Sequence, residues 1–520
     1  ALDGEPRMRA VLTLFEGVAT GAADGYARMA DKPAAVLLHL GCGLGNGLAN
    51  LHNARKGKVP IVNIVGDHAT YHQPLDAQLQ SDIETVARNV SPEFVRSAQN
   101  TEDLCRDAVD AIAAAIGPPG KVATLILPAD VSWGEGGVPA SPPPPSKAQA
   151  ADDETVNKIA ESIRGHGKTA FLLGGRALRE PVLREAARIA VHNDVKVFSE
   201  VFPTRLERGA GRPPVERLAY LAELATLQLS GFDHLVLVDA KAPVSFFAFP
   251  NKPSELVPDG CEVHTLSRPD QDARASLQKL VTALGAEQAE PKLQKAGRPG
   301  RPRGKLTAEK VCKAVGHLMP ENAIIVDEAN TSGLMLPVMT AGAPQHDLIT
   351  LTGGAIGQSL PNAVGAAIAC PDRPVLALVG DGSAMYTNQA LWTMAREQLD
   401  ITVVVLANAA YSILNVELER VGARDSGGPK ARSQLDLTGP NLDFARMAQG
   451  MGVHAVRTDT GEGFCQAMEY ALAHPGPHLI EAQIPEALNR TKRRILPWLL
   501  RSIPKMPKPM AQALKRKLAP

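Results

Sequence analysis

Asp381 and Asn408 are the residues whose types and spacing speak first of chemistry. Asp381 stands in Gly380-Asp381-Gly382-Ser383, and Asn408 in Ala407-Asn408-Ala409-Ala410-Tyr411, 27 positions further on. A carboxylate and an amide carbonyl are oxygen donors suited to a hard cation such as Mg2+. The glycines flanking Asp381 let backbone approach a ligand, and the start of a following helix offers free N–H groups to an anion. Metal plus phosphate is the chemistry this pair supports. The plain alternative is an ordinary strand–helix–strand unit with a turn aspartate. A second carboxylate, Glu16, sits among apolar and small residues in L-F-E-G-V-A-T-G-A-A-D-G-Y-A-R, Leu14–Arg28. Taken alone it reads as a solvated glutamate that favours the helix dipole.

The elements that must position these groups follow from hydrophobic pattern. Val375–Val379 and Ile401–Leu406 are short apolar runs, the second broken only by Thr402, as expected of strands covered on both faces of a parallel sheet. Between them Ala390, Leu391, Met394, Ala395 and Leu399 recur at helical spacing. A right-handed crossover sets the two strands side by side, with Asp381 and Asn408 at the carboxyl edge where open α/β sheets bind ligands. The alternation recurs towards the N-terminus. A helix is expected over Leu12–Met29, a strand at Val36–Leu40, a glycine turn G-C-G-L-G-N-G-L-A-N opening a helix, and strands at Ile61–Val65 and Ala123–Leu127. Further strands are expected at Ala170–Leu173, Val195–Phe198 and Leu235–Val238. Pro-rich Ser141–Pro145 and polar Glu287–Lys305 read as linkers. The fold class is α/β, with three doubly wound parallel-sheet domains at 1–140, 150–285 and 306–486 and a basic, Pro-rich tail at 487–520.

G-D-G-S, the helix and strand behind it and the asparagine turn resemble the signature of thiamine-diphosphate (ThDP) enzymes. The resemblance implies that Asp381, Asn408 and the main-chain carbonyl of Ala410 hold Mg2+ against the diphosphate. It also implies that Gly380, Gly382, Ser383 and Tyr411 line the cofactor. The chain departs at Ala407, the first of the family's paired asparagines, and not at the ligand. Leu14–Arg28 resembles the Glu-containing helix of the family's pyrimidine-binding domain. That implies that Glu16 binds the aminopyrimidine ring nitrogen and favours an imino tautomer, which removes the C2 proton to give the carbanion that attacks a 2-oxo acid. Such a role requires a buried carboxyl with a raised pKa. Thr352–Pro361, T-G-G-A-I-G-Q-S-L-P, is similar too, and implies that Gly354 offers a carbonyl to the cofactor's amino group while Ile356 wedges between its rings, an orientation effect.

His39 follows Glu16 by 23 positions, in L-H-L-G-C-G-L-G-N. This context looks most like benzoylformate decarboxylase and acetolactate-synthase-like large subunits, and implies proton transfer and substrate positioning by His39. The plain alternative is a packed strand-end histidine. His68 and His72, in G-D-H-A-T-Y-H-Q, are further candidates at a sheet edge. Ala248 stands where that decarboxylase has a second catalytic histidine, and Glu417 where a pocket aromatic is expected. Those two departures weigh against benzoylformate as the specific substrate and leave carboligation or another 2-oxo acid open. The absence of an R-F-D-D-R-V-type segment weighs against FAD. The chain opens beyond the βα unit that ordinarily precedes the Glu helix. The three domains are then pyrimidine-binding, central and diphosphate-binding. The expected activity is that of a ThDP- and Mg2+-dependent decarboxylase or carboligase on small 2-oxo acids, self-associated as a dimer or tetramer with active sites at the subunit interface. A catalytically inactive regulatory or scaffold subunit is the alternative, favoured by Ala407 and Ala248 and opposed by Glu16, Asp381 and Asn408.

Composition bounds the rest. Net charge is zero, with 55 basic and 55 acidic residues, so nucleic acid is not an expected partner. Six scattered cysteines without a C-x-x-C pair suit reduced, mostly buried thiols in a cytoplasmic enzyme. The tail carries ten basic residues, no acid and an apolar I-L-P-W-L-L knot, so weak membrane contact or docking on a neighbouring subunit is expected there. Gly41, Gly43, Gly45 and Gly47 are not spaced as a dinucleotide fingerprint. Gly165–Thr169 mimics the end of a Walker loop but has Ser162 where the first glycine belongs, and reads as a turn before a strand.

Overall fold

The computed structural model describes residues 2–144, 146–250, 252–423 and 427–486. The basic tail and its expected membrane contact lie outside the described residues. Among these no helix is long and apolar enough to cross a membrane.

Three sheets organise the chain. The first contains β1 (Ala34–His39), β2 (Ile61–Asp67), β3 (Val95–Ser97) and β4 (Val122–Pro128), all parallel, in the order β1-β2-β4-β3. The second contains β5 (Thr169–Leu173), β6 (Lys196–Ser199), β8 (Glu216–Arg217), β9 (His234–Val238) and β10 (Glu262–Ser267), ordered β10-β9-β5-β6-β8. Gly165–Thr169 is indeed a turn leading into β5. The third contains β11 (Ile324–Glu328), β12 (His346–Thr350), β13 (Val375–Gly380), β14 (Ile401–Ala407), β15 (His454–Thr458) and β16 (His478–Gln483). Its order is β15-β16-β14-β13-β11-β12-β7, where β7 (Leu206–Arg208) comes from the middle segment and is the only antiparallel member.

β13 and β14 are buried along almost their whole length and pair in parallel from Val375↔Ile401 to Gly380↔Leu406. Asp381 and Asn408 therefore leave the sheet side by side. The chain passes from β11 to β12 on one side and returns to β13 on the other. The strand order thus reverses between β11 and β13, where ligand crevices form in such sheets.

Helix α1 (Glu16–Ala30) joins the first segment to the third. It packs on the Ser359–Ala369 helix so closely that a methyl on Gly25 would overlap the Asn362 carbonyl, and one on Gly365 the Ala22 carbonyl. Val18 and Met29 share a core with Leu360, Val364 and Val379. Behind them lies a buried ion pair, Arg28 Nε–Asp24 Oδ1 at 2.7 Å, with both side chains fully enclosed. Arg28 also donates to the Thr350 carbonyl at 2.9 Å and Thr352 Oγ1 at 2.8 Å.

Four local expectations change. Helix α1 begins at Glu16 and not Leu12, because Phe15 is extended (φ −153°, ψ 134°) and Leu12 and Leu14 face outward. The glycines after β1 do not form a turn: helix α2 (Leu40–Lys56) starts at once, and Leu40 takes φ +58° to do so. The helix after Asp381 is broken into Asp381–Ala384 and Ala390–Arg396, which leaves Leu399 beyond its end. Finally, Glu287–Lys305 is a strap and not a free linker. The Gln294 N–H donates to the Arg212 carbonyl, the Gly297 N–H to the Gly342 carbonyl, and Lys305 bridges Thr460.

Candidate active site

At the β11–β13 crevice Asp381 is 4% exposed. Its oxygens accept from the Gly382 N–H at 2.8 Å and the Ala409 N–H at 2.6 Å. Among the described residues no lysine or arginine pairs with it. Burial pushes its carboxyl above the usual aspartate range, and the backbone amides partly offset that. Asn408 follows β14. Its Oδ1 accepts the Ala410 N–H at 3.0 Å and its Nδ2 donates to Ser332 Oγ at 3.4 Å. Ser383 Oγ accepts from Asn330 Nδ2 at 3.3 Å. Ala409 at φ +56° turns the chain so that Ala410 meets Asp436 and the Tyr411 N–H reaches the Leu435 carbonyl. The Tyr411 ring lies against Gly382, in space that any side chain there would fill. Gly380 is half-buried with open space beside it. Ser412 Oγ is buried without a hydrogen-bond partner. The structure thus places Gly380, Asp381, Gly382, Ser383, Asn408, Ala410 and Tyr411 close together. Asn330, Ser332 and Ser412, which the sequence did not single out, lie beside them.

The 352–359 loop is held from two sides. Glu328, at the end of β11 and 2% exposed, accepts from the Gly357 N–H at 2.6 Å and the Ser359 N–H at 2.7 Å. Burial raises its carboxyl, and those amides pull it back. From α2, Asn53 Nδ2 donates to the Ala355 carbonyl at 2.8 Å and Asn50 Nδ2 to the Gly357 carbonyl at 3.3 Å. Gly354 takes φ +77°, and the Phe246 ring fills the place of a side chain. Ile356 is half-buried in the same loop.

Glu16 is the first residue of α1 and half-buried, and its Oε2 accepts from Asn46 Nδ2 at 3.1 Å. Its Oε1 borders Gly43, beside the end of β1. His39 ends β1 and is exposed, so it is not a packed core histidine. His68 follows β2 on the same edge, its Nε2 buried without a partner, with the His72 ring 5.3 Å away. Among the described residues no hydrogen bond or ion pair joins Glu16 or His39 to the Asp381 cluster within one chain.

The middle segment brings aromatic surface to Gly354. The Phe246 ring lies 5.4 Å from Tyr220, 5.9 Å from Phe202 and 4.8 Å from Phe247. Ala248 is exposed. Glu417 is buried in an ionic network: Arg420 donates to it at 3.0 Å, Tyr220 Oη at 3.2 Å, and Arg420 also pairs with Glu223 at 3.0 Å. At the end of β5 the Gly175 N–H donates to Glu200 at 3.0 Å and the Arg176 N–H to Asp239 at 2.7 Å. All six cysteines are free, although only Cys312 and Cys465 are buried.

Comparison with known proteins agrees with this geometry. The family description "Thiamine pyrophosphate enzyme, N-terminal TPP binding domain" matches residues 1–88, and "Thiamine pyrophosphate enzyme, C-terminal TPP binding domain" matches residues 331–482. The Mycobacterium tuberculosis protein named "Putative acetolactate synthase large subunit IlvX" is 55% identical over 489 residues, 94% of each chain. Benzoylformate decarboxylase of Pseudomonas aeruginosa is 28% identical over 501 residues, 91% of each chain. The solved structure of the thiamine diphosphate-dependent 4-hydroxybenzoylformate decarboxylase of Rhodococcus jostii RHA1 has the same fold. It gives a TM-score of 0.79 at 24% identity, over 93% of this chain and 94% of that one.

Proposed function

Because the chain belongs to the thiamine pyrophosphate enzyme family, we propose that it binds ThDP with Mg2+ and breaks or forms the C–C bond at the carbonyl of a small 2-oxo acid. Asp381 carries this reading: a buried carboxylate, held by two amides and unpaired by any cation among the described residues, beside the Asn408 amide. Such a donor set suits a hard cation, and with the carbonyl of Ala410 it supplies three protein oxygens. Ser383, Ser332 and the unpartnered Ser412 hydroxyl, near Asp381 and Asn408, are donors that diphosphate oxygens would use. Gly380 and Gly382 leave room for close approach, and Tyr411 walls that side.

The cofactor, when bound, supplies an electron sink for the bond made or broken. The chain's own part is to hold and orient. Gly354 offers its carbonyl from a backbone conformation that favours glycine, and Ile356 presents a half-buried apolar side chain in the same loop. Glu16, steadied by Asn46, would bind the cofactor's ring nitrogen. His39 and His68 are the candidates for moving a proton at the substrate. That Glu16 and Asp381 share no bond within one chain supports a site completed between subunits, in a dimer or tetramer. Ala248 and the charged Glu417 favour a 2-oxo acid other than benzoylformate, or carboligation.

Calorimetric titration with ThDP and Mg2+ tests the cofactor site: the wild type binds in a metal-dependent manner and Asp381→Ala does not. Wild-type binding that is unchanged by Asp381→Ala would sink the assignment. Turnover of pyruvate and benzoylformate by the wild type and Glu16→Gln tests the chemistry. Equal rates for both proteins would remove Glu16 from its role, and no turnover despite cofactor binding would favour a scaffold subunit.

A further inference from the structure

Away from the crevice, at the amino-terminal end of β9 and on the edge strand β10, three metal-type ligands converge. Parallel pairing sets Glu262 directly opposite His234, and the two-residue period of β10 puts His264 on the same face as Glu262. His234 Nδ1 lies 3.2 Å from His264 Nε2. Glu262 Oε2 is 3.9 Å from the first nitrogen and 3.8 Å from the second. Its other oxygen faces Lys158 Nζ at 3.9 Å. The three ligand atoms lie within 4.8 Å of one another.

We propose that His234, His264 and Glu262 form a binding site for a divalent transition metal of the zinc class, which pins the edge strand β10 to β9. In a tetrahedral site with Zn–N bonds of about 2.0–2.1 Å, ligand nitrogens stand about 3.3 Å apart, close to the separation these imidazoles already have. The carboxylate oxygen is about half an ångström further out than such geometry needs. Glu262 is the most exposed of the three, its side chain 54% accessible, so it can close that gap by rotation. His264 is 4% exposed at its side chain and His234 16%, which gives two anchored ligands, one adaptable ligand and a solvent-facing fourth position for water. Two imidazoles and a carboxylate favour zinc, cobalt or nickel over Mg2+. An edge strand gains from such a clamp because only one of its sides is paired.

The test uses the full chain, stripped with chelator and kept in excess Mg2+ so that oxygen-only sites do not take the probe. Zn2+ is titrated by calorimetry, and Co2+ by its visible d–d bands. We expect one Zn2+ site and a four-coordinate Co2+ spectrum. His234→Ala and Glu262→Gln, at the two more accessible positions, each weaken binding by about tenfold or more, since loss of an outer-shell partner alone costs roughly 10–100-fold. Circular dichroism checks that both variants are folded. Zn2+ binding indistinguishable between wild type and variants, or absent from the wild type, overturns the proposal and leaves an imidazole–imidazole hydrogen bond.

Discussion

Glu328→Gln probes the hold on the 352–359 loop most directly. The wild-type carboxylate accepts two backbone N–H groups, from Gly357 at 2.6 Å and Ser359 at 2.7 Å, at a site 2% exposed. Glutamine keeps one acceptor and turns an NH2 group towards the other amide. One hydrogen bond to a charged group, about 1.5–3 kcal/mol, is lost, and a buried donor is stranded at about 1–3 kcal/mol. The sum, roughly 3–6 kcal/mol, is an upper bound, because the loop can shift to relieve the clash. A shift moves Gly354 and Ile356, and if half of the cost appears in binding, ThDP affinity falls by about ten- to a hundredfold at 1.4 kcal/mol per decade. The assay is calorimetric titration with ThDP and Mg2+, alongside thermal melts of the free protein. Glu328 is a positioning residue, so the variant should lose affinity before it loses far-ultraviolet signal. Wild-type affinity together with a wild-type melting temperature would refute the reasoning.

Glu200 should make stability depend on pH: burial, aided by Asp239, pushes its carboxyl up to about 7 from 4.5, against the pull of the Gly175 amide and Lys58. Its contribution is then complete below pH 4.5 and lost as pH rises through about 7, roughly 3 kcal/mol in all. Denaturant midpoints should therefore show Glu200→Gln more stable than wild type at pH 8 and level with it at pH 4.5; no difference at pH 8 contradicts this. Gly365→Ala drives a methyl into the Ala22 carbonyl and should cost about 1–3 kcal/mol in a thermal melt, as overpacking does; an unchanged melt would mean that the helices part freely. Arg420→Met leaves Glu417 buried without its cation, while Glu223 keeps Lys252, and should destabilise by about 3–5 kcal/mol. Unfolding midpoints equal to wild type would show that the Glu417 carboxylate finds another partner.

Legibility followed how local each cause was. β13 and β14 could be read because strands buried on both faces leave almost unbroken apolar runs, and the crossover rule then made Asp381 and Asn408 neighbours. Glu328 could not be read in the same way. D-E-A after an apolar run looks like any polar turn, and its hold on the loop exists only because β11 lies beside β13. β10 was missed because E-V-H-T-L-S exposes three of its six residues at a sheet edge and lacks an apolar run. The antiparallel β7 was missed for a related reason: a three-residue strand from the middle segment has meaning only against β12 of another sheet. The Glu417–Arg420 network was equally hidden, since its third member, Glu223, lies 197 positions away from Arg420.

Helix α2 holds a second pattern behind its glycines. Those glycines read as a turn, yet Asn46, Asn50 and Asn53 recur at i, i+4 and i+7, one face of a helix. That face carries the coupling between the two halves of the proposed site. Asn46 steadies the Glu16 carboxylate, Asn50 bonds the Gly17 carbonyl at the start of α1, and Asn53 bonds the Ala355 carbonyl in the loop with Gly354 and Ile356. An apolar stripe would have served packing alone. An amide stripe at this spacing can accept and donate at once, which a helix needs when it must satisfy the backbone of two neighbours. The glycines complement the amides, since Gly43 and Gly47 bring that face close to Glu16 and Thr20 with no side chain between the helices. Glu16 is therefore fixed within its own chain to the loop that would orient the cofactor, even though the carboxylate and the Asp381 cluster need not serve the same cofactor molecule. Relaxing α2 should disturb both subsites together, which separates it from Glu328, which bonds the loop and the first residue of the Ser359–Ala369 helix but not Glu16.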